Sequence, residues 1–304
     1  MEAVVLNGIS KHYGKEKFVA VDNVSFTVNK GEIFGIIGPD GAGKTSLFRV
    51  LTTLLLPDGG ESTVDGLDVV KDFKQIRQTI GYMPGKFSLY QDLTVEENLN
   101  FFATVFKTTI KENYHLIKDI YIQLEPFKDR RAGKLSGGMK QKLALSCALI
   151  HKPTVLFLDE PTTGVDPVSR KEFWQMLKKL KNEGITILVS TPYMDEATLC
   201  DRIALMQKSK ILAIETPQAI IDSFPKELYK AKSVSTPALL NDIKAWSDDI
   251  YAYPFGENVH FTFQKESINV EELRNYLYEK EHHNLEMGPY IPSIEDCFIH
   301  LLRA

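Results

Sequence analysis

Cysteine is scarce in this chain. Its three cysteines, Cys147, Cys200 and Cys297, lie far apart, and no two of them form a Cys-x-x-Cys pair. An odd number of widely spaced cysteines indicates neither a disulfide framework nor a zinc site. The sequence is therefore typical of a protein that folds without cross-links in a reducing, cytoplasmic compartment.

The chain also lacks long apolar runs and blocks of one charge. No apolar stretch approaches the roughly 20 residues of a membrane helix, and residues 1–4 lack the basic start of a signal peptide. A net charge of −4 without a Lys/Arg-rich block argues against a broad nucleic-acid footprint. We therefore expect no nucleic-acid partner, and we expect any membrane contact to be made through another protein.

The apolar residues that are present are arranged as in an α/β protein. Val24, Phe26 and Val28 alternate with polar residues, which predicts an antiparallel strand with one solvated face. Residues 154–158 and 185–189 are unbroken apolar runs, which are typical of parallel strands buried on both faces.

Helical patterns occur between these strands. Val95, Leu99, Phe102 and Phe106 recur at helical spacing and predict an inserted helical subdomain over about residues 86–150. Asp166 followed by proline predicts the start of a helix that continues to about residue 182.

The character of the chain changes after Pro217 and Pro225. A strand-like run at 259–263 and helix-like segments from Val270 and from Ile294 indicate a second, smaller domain. We predict an α/β domain over residues 2–225 and a small α+β domain over residues 226–304. His282 and His283 lie on a charged segment, where adjacent side chains diverge, so we predict solvated residues rather than a pair of metal ligands.

One glycine-rich loop has a specific chemical meaning. It lies between the apolar run 33–37 and a helical pattern that includes Leu47, Val50, Leu51, Leu54 and Leu55. Glycines let backbone N–H groups converge on phosphate oxygens, and a helix start adds a favourable field. The loop therefore predicts nucleoside triphosphate binding; a plain turn is the alternative. Its residues are Gly38-Pro39-Asp40-Gly41-Ala42-Gly43-Lys44-Thr45.

Two carboxylates follow the buried run 154–158. Asp159 and Glu160 come at the carboxyl end of a predicted parallel strand, where such sheets bind ligands. Asp159 is suited to hold Mg²⁺ with the Thr45 hydroxyl, and Glu160 to orient or deprotonate a water. Consecutive strand residues point to opposite faces, so this interpretation requires a turn at the strand end. A pair of acidic caps is an equally simple alternative.

A second glycine-containing segment begins a predicted helix. Ser136, Gly137, Gly138 and Met139 precede apolar residues at helical spacing. A helix that starts in this way exposes backbone N–H groups and can bind an anion. Taken alone, the segment is also consistent with an ordinary linker or helix cap.

In combination, these motifs resemble the ATP-binding subunit of ATP-binding-cassette (ABC) transporters over nearly all of residues 2–225. The resemblance implies a P-loop NTPase fold with a RecA-like core, and ATP and Mg²⁺ as cofactors. The signature at residues 136–139 would bind the γ-phosphate held by a second cassette, with Asp166 in the D-loop between the two. Tyr13 matches the aromatic residue that stacks on adenine, although a packing role is the alternative for this side chain. The implied ATP-binding residues are Tyr13, Gly38, Pro39, Asp40, Gly41, Ala42, Gly43, Lys44, Thr45, Ser46 and Asp159, with Thr45 and Asp159 on the metal and Glu160 as the catalytic residue.

Three further segments are similar to cassettes of ABC-2 type exporters, including drug- and sodium-efflux systems. They are residues 82–84, 89–99 and 294–299. The similarity implies export through separate ABC-2 type permease subunits, with this chain peripheral on the cytoplasmic face of the membrane. The alternatives are a soluble cassette that acts on ribosomes or DNA and a regulatory cassette that binds ATP without hydrolysing it.

Two positions depart from the family pattern. Gly85 replaces a glutamine that reaches Mg²⁺ and the attacking water, and Pro192 replaces a histidine that contacts the γ-phosphate. Lys86, Gln91 or Tyr193 are candidates to substitute for them. The departures suggest that this chain's own site hydrolyses ATP slowly and that its signature completes a working site on a different cassette, which favours a heterodimer over a homodimer. The presence of Glu160 argues in the other direction.

Overall fold

The computed structural model describes residues 1–16, 18–264 and 269–303. The chain forms two compact units, Met1–Ala219 and Ile220–Ala304. In the described residues, no helix is both long enough and apolar enough to cross a membrane.

The first unit contains two sheets. One sheet has the strand order β2-β1-β4-β5 and the other has the order β10-β9-β3-β8-β7-β6. The strands are β1 (Glu2–Tyr13), β2 (Phe18–Asn29), β3 (Ile33–Ile37), β4 (Gly59–Val64), β5 (Leu67–Asp68), β6 (Ile80–Met83), β7 (Val155–Asp159), β8 (Thr186–Thr191), β9 (Arg202–Gln207) and β10 (Lys210–Glu215).

The helices of the chain up to the second unit lie between these strands or follow them. They are α1 (Lys44–Leu51), α2 (Phe73–Thr79), α3 (Val95–Val105), α4 (Ile110–Tyr121), α5 (Gly137–Leu149), α6 (Pro167–Asn182) and α7 (Pro217–Asp222), with short 3₁₀ turns at Glu125–Phe127, Ala132–Lys134 and Met194–Leu199.

The larger sheet confirms the expected buried parallel core. β3, β7 and β8 are buried along their whole lengths and pair in parallel, as their unbroken apolar sequences predict. Parallel strands end at the same edge, so the residues that follow β3, β6, β7 and β8 come together there. This edge is where the loop after Ile37 meets Asp159.

The smaller, antiparallel sheet packs on the same core. Val24, Phe26 and Val28 of β2 are buried, as their alternation predicts. The Phe26 ring stacks on that of Phe34 from β3, with 5.0 Å between centroids, and so joins the two sheets.

The helix after the glycine loop is shorter than its apolar pattern indicates. α1 ends at Leu51, so the expected continuation through Leu54 and Leu55 is wrong. Thr53 adopts a left-handed conformation with φ +63°, and the Leu54 N–H bonds the Arg49 carbonyl in the manner of a helix C-terminus. Leu54 consequently lies outside the helix with 53% of its surface exposed.

Helices α3, α4 and α5 lie within residues 86–150. Thr94 and Thr109 begin α3 and α4 with complete capping boxes, and Ser136 caps α5 by accepting a hydrogen bond from the Met139 N–H. Asn98 is fully buried and donates its side-chain amide to carbonyls of residues 90, 93 and 94, which fixes the connection that leads into α3.

The second unit is a small α+β arrangement in the order strand, helix, two strands, helix, strand, helix. Its sheet has the antiparallel strand order β12-β13-β11-β14, as in a split βαβ motif. Its elements are β11 (Leu228–Lys232), α8 (Thr236–Trp246), β12 (Ile250–Phe255), β13 (Asn258–Phe263), α9 (Val270–Glu279), β14 (Glu286–Tyr290) and α10 (Ile294–Leu301).

The prediction that His282 is solvated is wrong. His282 is buried, and its two ring nitrogens contact Ser233 Oγ and Asp242 Oδ2, each at 2.9 Å. The chain turns after α9, so a position that looks like a charged helix surface instead packs against the β11–α8 connection. His283 is exposed as predicted, and the described residues contain no group of three or more ligating side chains that could hold a metal ion.

A buried carboxylate links α10 to the sheet of this unit. Asp296 is fully buried and accepts hydrogen bonds from Tyr253 Oη (2.6 Å), His260 Nδ1 (2.7 Å) and Ser293. Burial raises its pKa, but these hydrogen bonds more than compensate and hold the pKa below the ordinary value of 3.8.

Asp296 should therefore stabilise this unit in a pH-dependent way. Because its pKa is lowered in the folded state, the contribution is complete above about pH 3.8 and is lost as the pH falls through the lower folded value. We expect Asp296→Asn to reduce the opening free energy of β12 and β13 by about 1.5–3 kcal/mol at pH 7, measured by hydrogen exchange. If Asp296→Asn reduced the opening free energy equally at pH 3 and at pH 7, the lowered pKa of Asp296 could not be the source of the stabilisation.

Candidate functional site

The glycine loop between β3 and α1 has a backbone that only glycine fits well. Gly41 and Gly43 have φ values of +79° and +110°. A Cβ atom on Gly43 would lie 2.1 Å from the Ala20 carbonyl oxygen, whereas a Cβ atom on Gly41 would meet nothing within 4 Å. The loop therefore curls tightly at Gly43 and delivers the chain directly into the first turn of α1, where backbone N–H groups have no helical partner.

Lys44, the first residue of α1, lies inside this loop. Its ammonium group donates to the carbonyls of Gly38 (2.8 Å) and Pro39 (3.0 Å) and pairs with Glu160 Oε1 at 3.1 Å. Only 3% of the side chain is exposed, so a positive charge is held at a defined place at the base of the loop. That position is suited to a phosphate.

Thr45 and Asp159 meet across the edge of the sheet. Thr45 Oγ1 donates to Asp159 Oδ1 at 3.2 Å, and Ser190 Oγ donates to the same carboxylate oxygen at 2.6 Å. A hydroxyl and a carboxylate are hard oxygen ligands of the type that Mg²⁺ takes beside phosphate oxygens. The two side chains therefore fit a shared magnesium ion.

A left-handed residue brings the second carboxylate to the same edge. Glu160 has φ +48°, which is unusual for a residue with a side chain. Its backbone N–H donates to Ser190 O (3.1 Å) and Ser190 Oγ (3.0 Å), which holds this conformation. The turn that the sequence required is thus present, and Asp159 and Glu160 both face the loop although they are consecutive.

Two aromatic residues line the outer part of the cleft. Tyr13 and Phe18 are paired across the β1–β2 hairpin, and both line a cleft of about 200 Å³ together with residues 41–46 and Glu160. Tyr13 Oη donates to Ser46 Oγ at 3.3 Å, which ties the ring to α1. Phe18 has 68% of its surface exposed. The sequence did not predict its place in the cleft, because an aromatic residue at the start of a strand is not specific to a binding site.

The remaining loop residues take supporting positions. Pro39 contributes its carbonyl to Lys44, Asp40 is exposed, and Ala42 is buried, with its carbonyl bonded to the Ser209 N–H at 3.0 Å.

The signature residues lie elsewhere. Among the described residues, those that line the cleft do not include residues 136–139. Instead, a Cβ atom on Gly138 would lie 2.8 Å from Ser169 Oγ, and one on Gly137 would lie 3.5 Å from the Gly164 carbonyl oxygen. The signature therefore packs against the first turn of α6 and the loop that precedes it, and is not brought to this chain's own glycine loop.

Asp166 begins α6 and is exposed. Its carboxylate accepts hydrogen bonds from the N–H groups of Val168 (3.1 Å) and Ser169 (3.0 Å), and the Ser169 bond in particular lowers its pKa. The predicted helix cap is confirmed.

The two departures from the family pattern lie at the carboxylate edge. Met83 of β6 pairs with Leu158 of β7, and a Cβ atom on Gly85 would lie 3.1 Å from the Asp159 carbonyl oxygen. Pro192 directly follows Thr191, the last residue of β8. The Gly85 position is therefore next to the Asp159 backbone, Pro192 follows a strand that ends at the same edge of the sheet, and neither residue has a polar side chain.

Two of the three candidate substitutes are engaged elsewhere. The Tyr193 ring lies under the Arg170 guanidinium at 4.2 Å. The Gln91 side chain lies beside Gly133, whose N–H bonds the Gln91 carbonyl at 2.9 Å. Lys86 is exposed. On the β6 side, burial and the charge of Asp159 raise the pKa of Tyr82 to about 12, so its hydroxyl stays protonated at neutral pH.

A parallel core, a strand–glycine loop–helix unit with a buried lysine, and a carboxylate at the end of β7, one strand removed from β3, define a P-loop NTPase. A family model for the ABC transporter domain matches residues 21–163. Nod factor export ATP-binding protein I of a Rhizobium species is 40% identical over 223 residues, which cover 72% of this chain and 73% of that protein. The chain belongs to the ATP-binding proteins of ABC transporters.

Other relatives and solved structures that are similar to this chain are also components of ABC transporters. The probable multidrug ABC transporter ATP-binding protein YbhF of Escherichia coli is 46% identical over 220 residues, or 71% of this chain. The match covers 38% of YbhF and 65% of the Nod factor export protein of Mesorhizobium japonicum. Among solved structures, CbiO1 of Clostridium perfringens is similar with a TM-score of 0.65 and 25% identity, over 73% of this chain and 91% of that one. The cassette MJ0796, solved as a dimer bound to ADP and Pi, is similar with a TM-score of 0.64 and 28% identity, over 70% of this chain and 98% of that one.

Proposed function

We propose that this chain binds MgATP in the cleft between the glycine loop and the carboxylate edge and, paired with a second cassette, drives export through separate ABC-2 type permease subunits. The observation that carries this proposal is the convergence of Lys44, Thr45, Asp159 and Glu160 at one edge of the sheet. The relatives named for multidrug and Nod factor export support the export direction.

Each residue of the cleft then has a defined task. Lys44 and the N–H groups of the first turn of α1 neutralise the β- and γ-phosphates. Thr45 and Asp159 would hold Mg²⁺, which would offset charge that develops on the phosphates. Glu160 orients or accepts a proton from the attacking water, since its carboxylate lies at the same edge as the phosphate-binding lysine.

The base of the nucleotide is proposed to stack on Tyr13 with Phe18 beside it. Stacking on an aromatic face contributes about 1–3 kcal/mol per base, so Tyr13→Ala and Phe18→Ala should each weaken MgATP binding by about 5- to 150-fold. Equilibrium binding of ATP and of inorganic triphosphate measures this, because triphosphate lacks a base and should bind every variant equally. Equal weakening for both ligands would contradict stacking.

The permease is proposed to contact a groove of about 340 Å³ between the core and the helical subdomain. Tyr82, Phe102, Phe106 and His151 are among its lining residues, and the Phe106 and His151 rings stack at 3.7 Å. The groove also includes Met83 and Pro84, which lead directly to Gly85 beside the carboxylates. An apolar helix of a membrane subunit that enters this groove is therefore placed to respond to the state of the cleft.

We further propose that hydrolysis at this chain's own site is slow and that its signature serves a more active site on another cassette. Gly85 and Pro192 leave two positions beside the carboxylates without a polar side chain. Loss of one positioned group of this kind typically costs about 10²–10³ in rate. The chain would then bind ATP mainly as a structural and regulatory ligand.

Two proposals, MgATP binding by this chain and slow hydrolysis at its own site, are tested with the purified chain alone and with its native transporter complex. We expect MgATP binding by the chain alone, slow phosphate release, and near-normal activity of the complex when Glu160→Gln is introduced only in this chain. The equivalent substitution in the other cassette should abolish activity. Full turnover by this chain alone that is lost with Glu160→Gln would refute the asymmetric arrangement, and absence of MgATP binding would refute the function itself.

A further inference from the structure

Glu196 is a buried carboxylate that the chemistry above does not use. It lies in the 3₁₀ turn Met194–Leu199, and only 2% of its surface is exposed. Oε2 accepts hydrogen bonds from Thr191 Oγ1 (2.6 Å) and Thr162 Oγ1 (3.1 Å), and Oε1 accepts one from Arg170 Nε (3.1 Å). Both oxygens are thus fully engaged by three different segments of the chain.

Each of these segments carries part of the site. Thr191 ends β8 and lies between Ser190, which bonds Asp159 and Glu160, and Pro192. Thr162 lies in the turn that leads from Glu160 towards Asp166, and Arg170 bonds the Asp166 carbonyl through its own N–H at 2.9 Å. Glu196 is therefore the common acceptor of the strand end, the turn after the carboxylates and the helix that Asp166 caps.

Burial makes this arrangement specific. Thr162 and Thr191 are also buried, so removal of Glu196 would leave two hydroxyl protons without this acceptor and away from water. A charged acceptor with a complete set of donors allows few alternative geometries. Glutamine is a poor replacement because its amide retains one acceptor oxygen and turns two N–H donors towards groups that are themselves donors.

We propose that Glu196 is a positioning residue that holds residues 162–166 in register with residues 190–192, so that the segment facing a second cassette moves together with this chain's carboxylates. This inference rests on the proposed two-cassette function. The carboxylate acts only through the threonines and Arg170 and does not contact the nucleotide. A misplacement of the turn by about 1 Å is enough to slow hydrolysis by about 10²-fold.

Four variants of the full chain separate positioning from general stability. Glu196→Gln replaces one acceptor oxygen with an N–H donor, Thr162→Val removes one donor with almost no change of shape, and the third variant combines both. Thr198→Val is the matched control, because Thr198 lies in the same 3₁₀ turn, is exposed and donates only to the nearby Asp195 carbonyl. Thermal unfolding of each variant is measured alongside.

Three readouts are compared in these variants: MgATP affinity, ATP turnover of the native transporter complex, and amide hydrogen exchange. We expect Glu196→Gln and Thr162→Val to change MgATP affinity by about 2-fold or less and to slow turnover by about 10- to 100-fold. Exchange should rise at residues 162–166 and remain unchanged at residues 38–46. The double variant should be no slower than the slower single variant, because both substitutions break one network. Thr198→Val should match the unsubstituted protein.

Turnover and exchange at wild-type levels in Thr162→Val would overturn the inference, as would multiplicative effects in the double variant. If Glu196→Gln fails to fold, Thr162→Val still decides the outcome. The exchange measurement needs no nucleotide, so failure of the unsubstituted chain to bind MgATP would refute the proposed function while exchange at residues 162–166 still tests the positioning role.

Discussion

Glutamine at position 85 combined with histidine at position 192 should raise ATP hydrolysis at this chain's own site by about 10²–10³-fold. The Gly85 position lies beside the Asp159 backbone, so the side chain of a glutamine there would begin at the carboxylate edge. Pro192 directly follows β8, and histidine there restores an imidazole together with a backbone N–H. Each substitution alone should recover only part of the increase, because the two groups act on the same water and phosphate.

A glutamine at position 85 makes a close contact with the Asp159 backbone. Its Cβ atom would lie 3.1 Å from the Asp159 carbonyl oxygen, so the segment has to shift by a few tenths of an ångström. Phosphate release under single-turnover conditions, with the chain in excess over MgATP, measures the effect. The same pair of substitutions in a Glu160→Gln background is the control and should show no increase. An unchanged rate in the Gly85→Gln, Pro192→His double variant would show that these two positions do not limit hydrolysis.

Gly43→Ala should abolish measurable MgATP binding, with an affinity loss of more than about 100-fold. Position 43 combines φ +110° with a Cβ position 2.1 Å from the Ala20 carbonyl oxygen, which is backbone and cannot rotate away. Backbone strain alone costs about 1–3 kcal/mol, and relief of the contact has to displace either the hairpin or the start of α1. Displacement of α1 moves Lys44 and Thr45 together.

Gly41→Ala is the matched control for this substitution. Gly41 also has a positive φ, +79°, but no atom lies within 4 Å of its Cβ position. Gly41→Ala should cause only backbone strain. A strain of about 1–3 kcal/mol corresponds to a loss of MgATP affinity of about 5- to 150-fold. Isothermal titration with MgATP and circular dichroism of both variants distinguish loss of the site from loss of the fold. Equal affinities for the two variants would contradict the steric explanation.

Much of the fold could be predicted because burial leaves a pattern in the sequence. The unbroken apolar runs that became β7 and β8 have few alternatives to buried parallel strands, and the glycine loop has few alternatives to a phosphate cradle. The end of α1 was harder to predict, because Leu54 and Leu55 continue the apolar period while Thr53 turns left-handed. Local backbone geometry ended the helix there against its apolar pattern.

Long-range contacts explain the parts of the site that the sequence did not predict. Ser190 becomes a support of Asp159 only because β8 pairs with β7, and His282 becomes a buried bridge only because the chain folds back on the β11–α8 connection. Phe18 shares the cleft with Tyr13 through hairpin register. Each of these side chains is ordinary in its sequence neighbourhood, and its role depends on pairing that residue spacing does not encode.

The ion pair between Lys44 and Glu160 has a consequence for the order of events in the cleft. One ammonium group serves two anions in succession, because a phosphate that approaches Lys44 takes the place of the Glu160 carboxylate 3.1 Å away. The lysine keeps an anionic partner throughout this exchange, whereas the Glu160 carboxylate loses its cation. We therefore expect the carboxylate to become available to accept a proton once a phosphate has taken its place at Lys44. The Lys44–Glu160 ion pair would therefore make Glu160 available as a general base only when a phosphate is bound to Lys44.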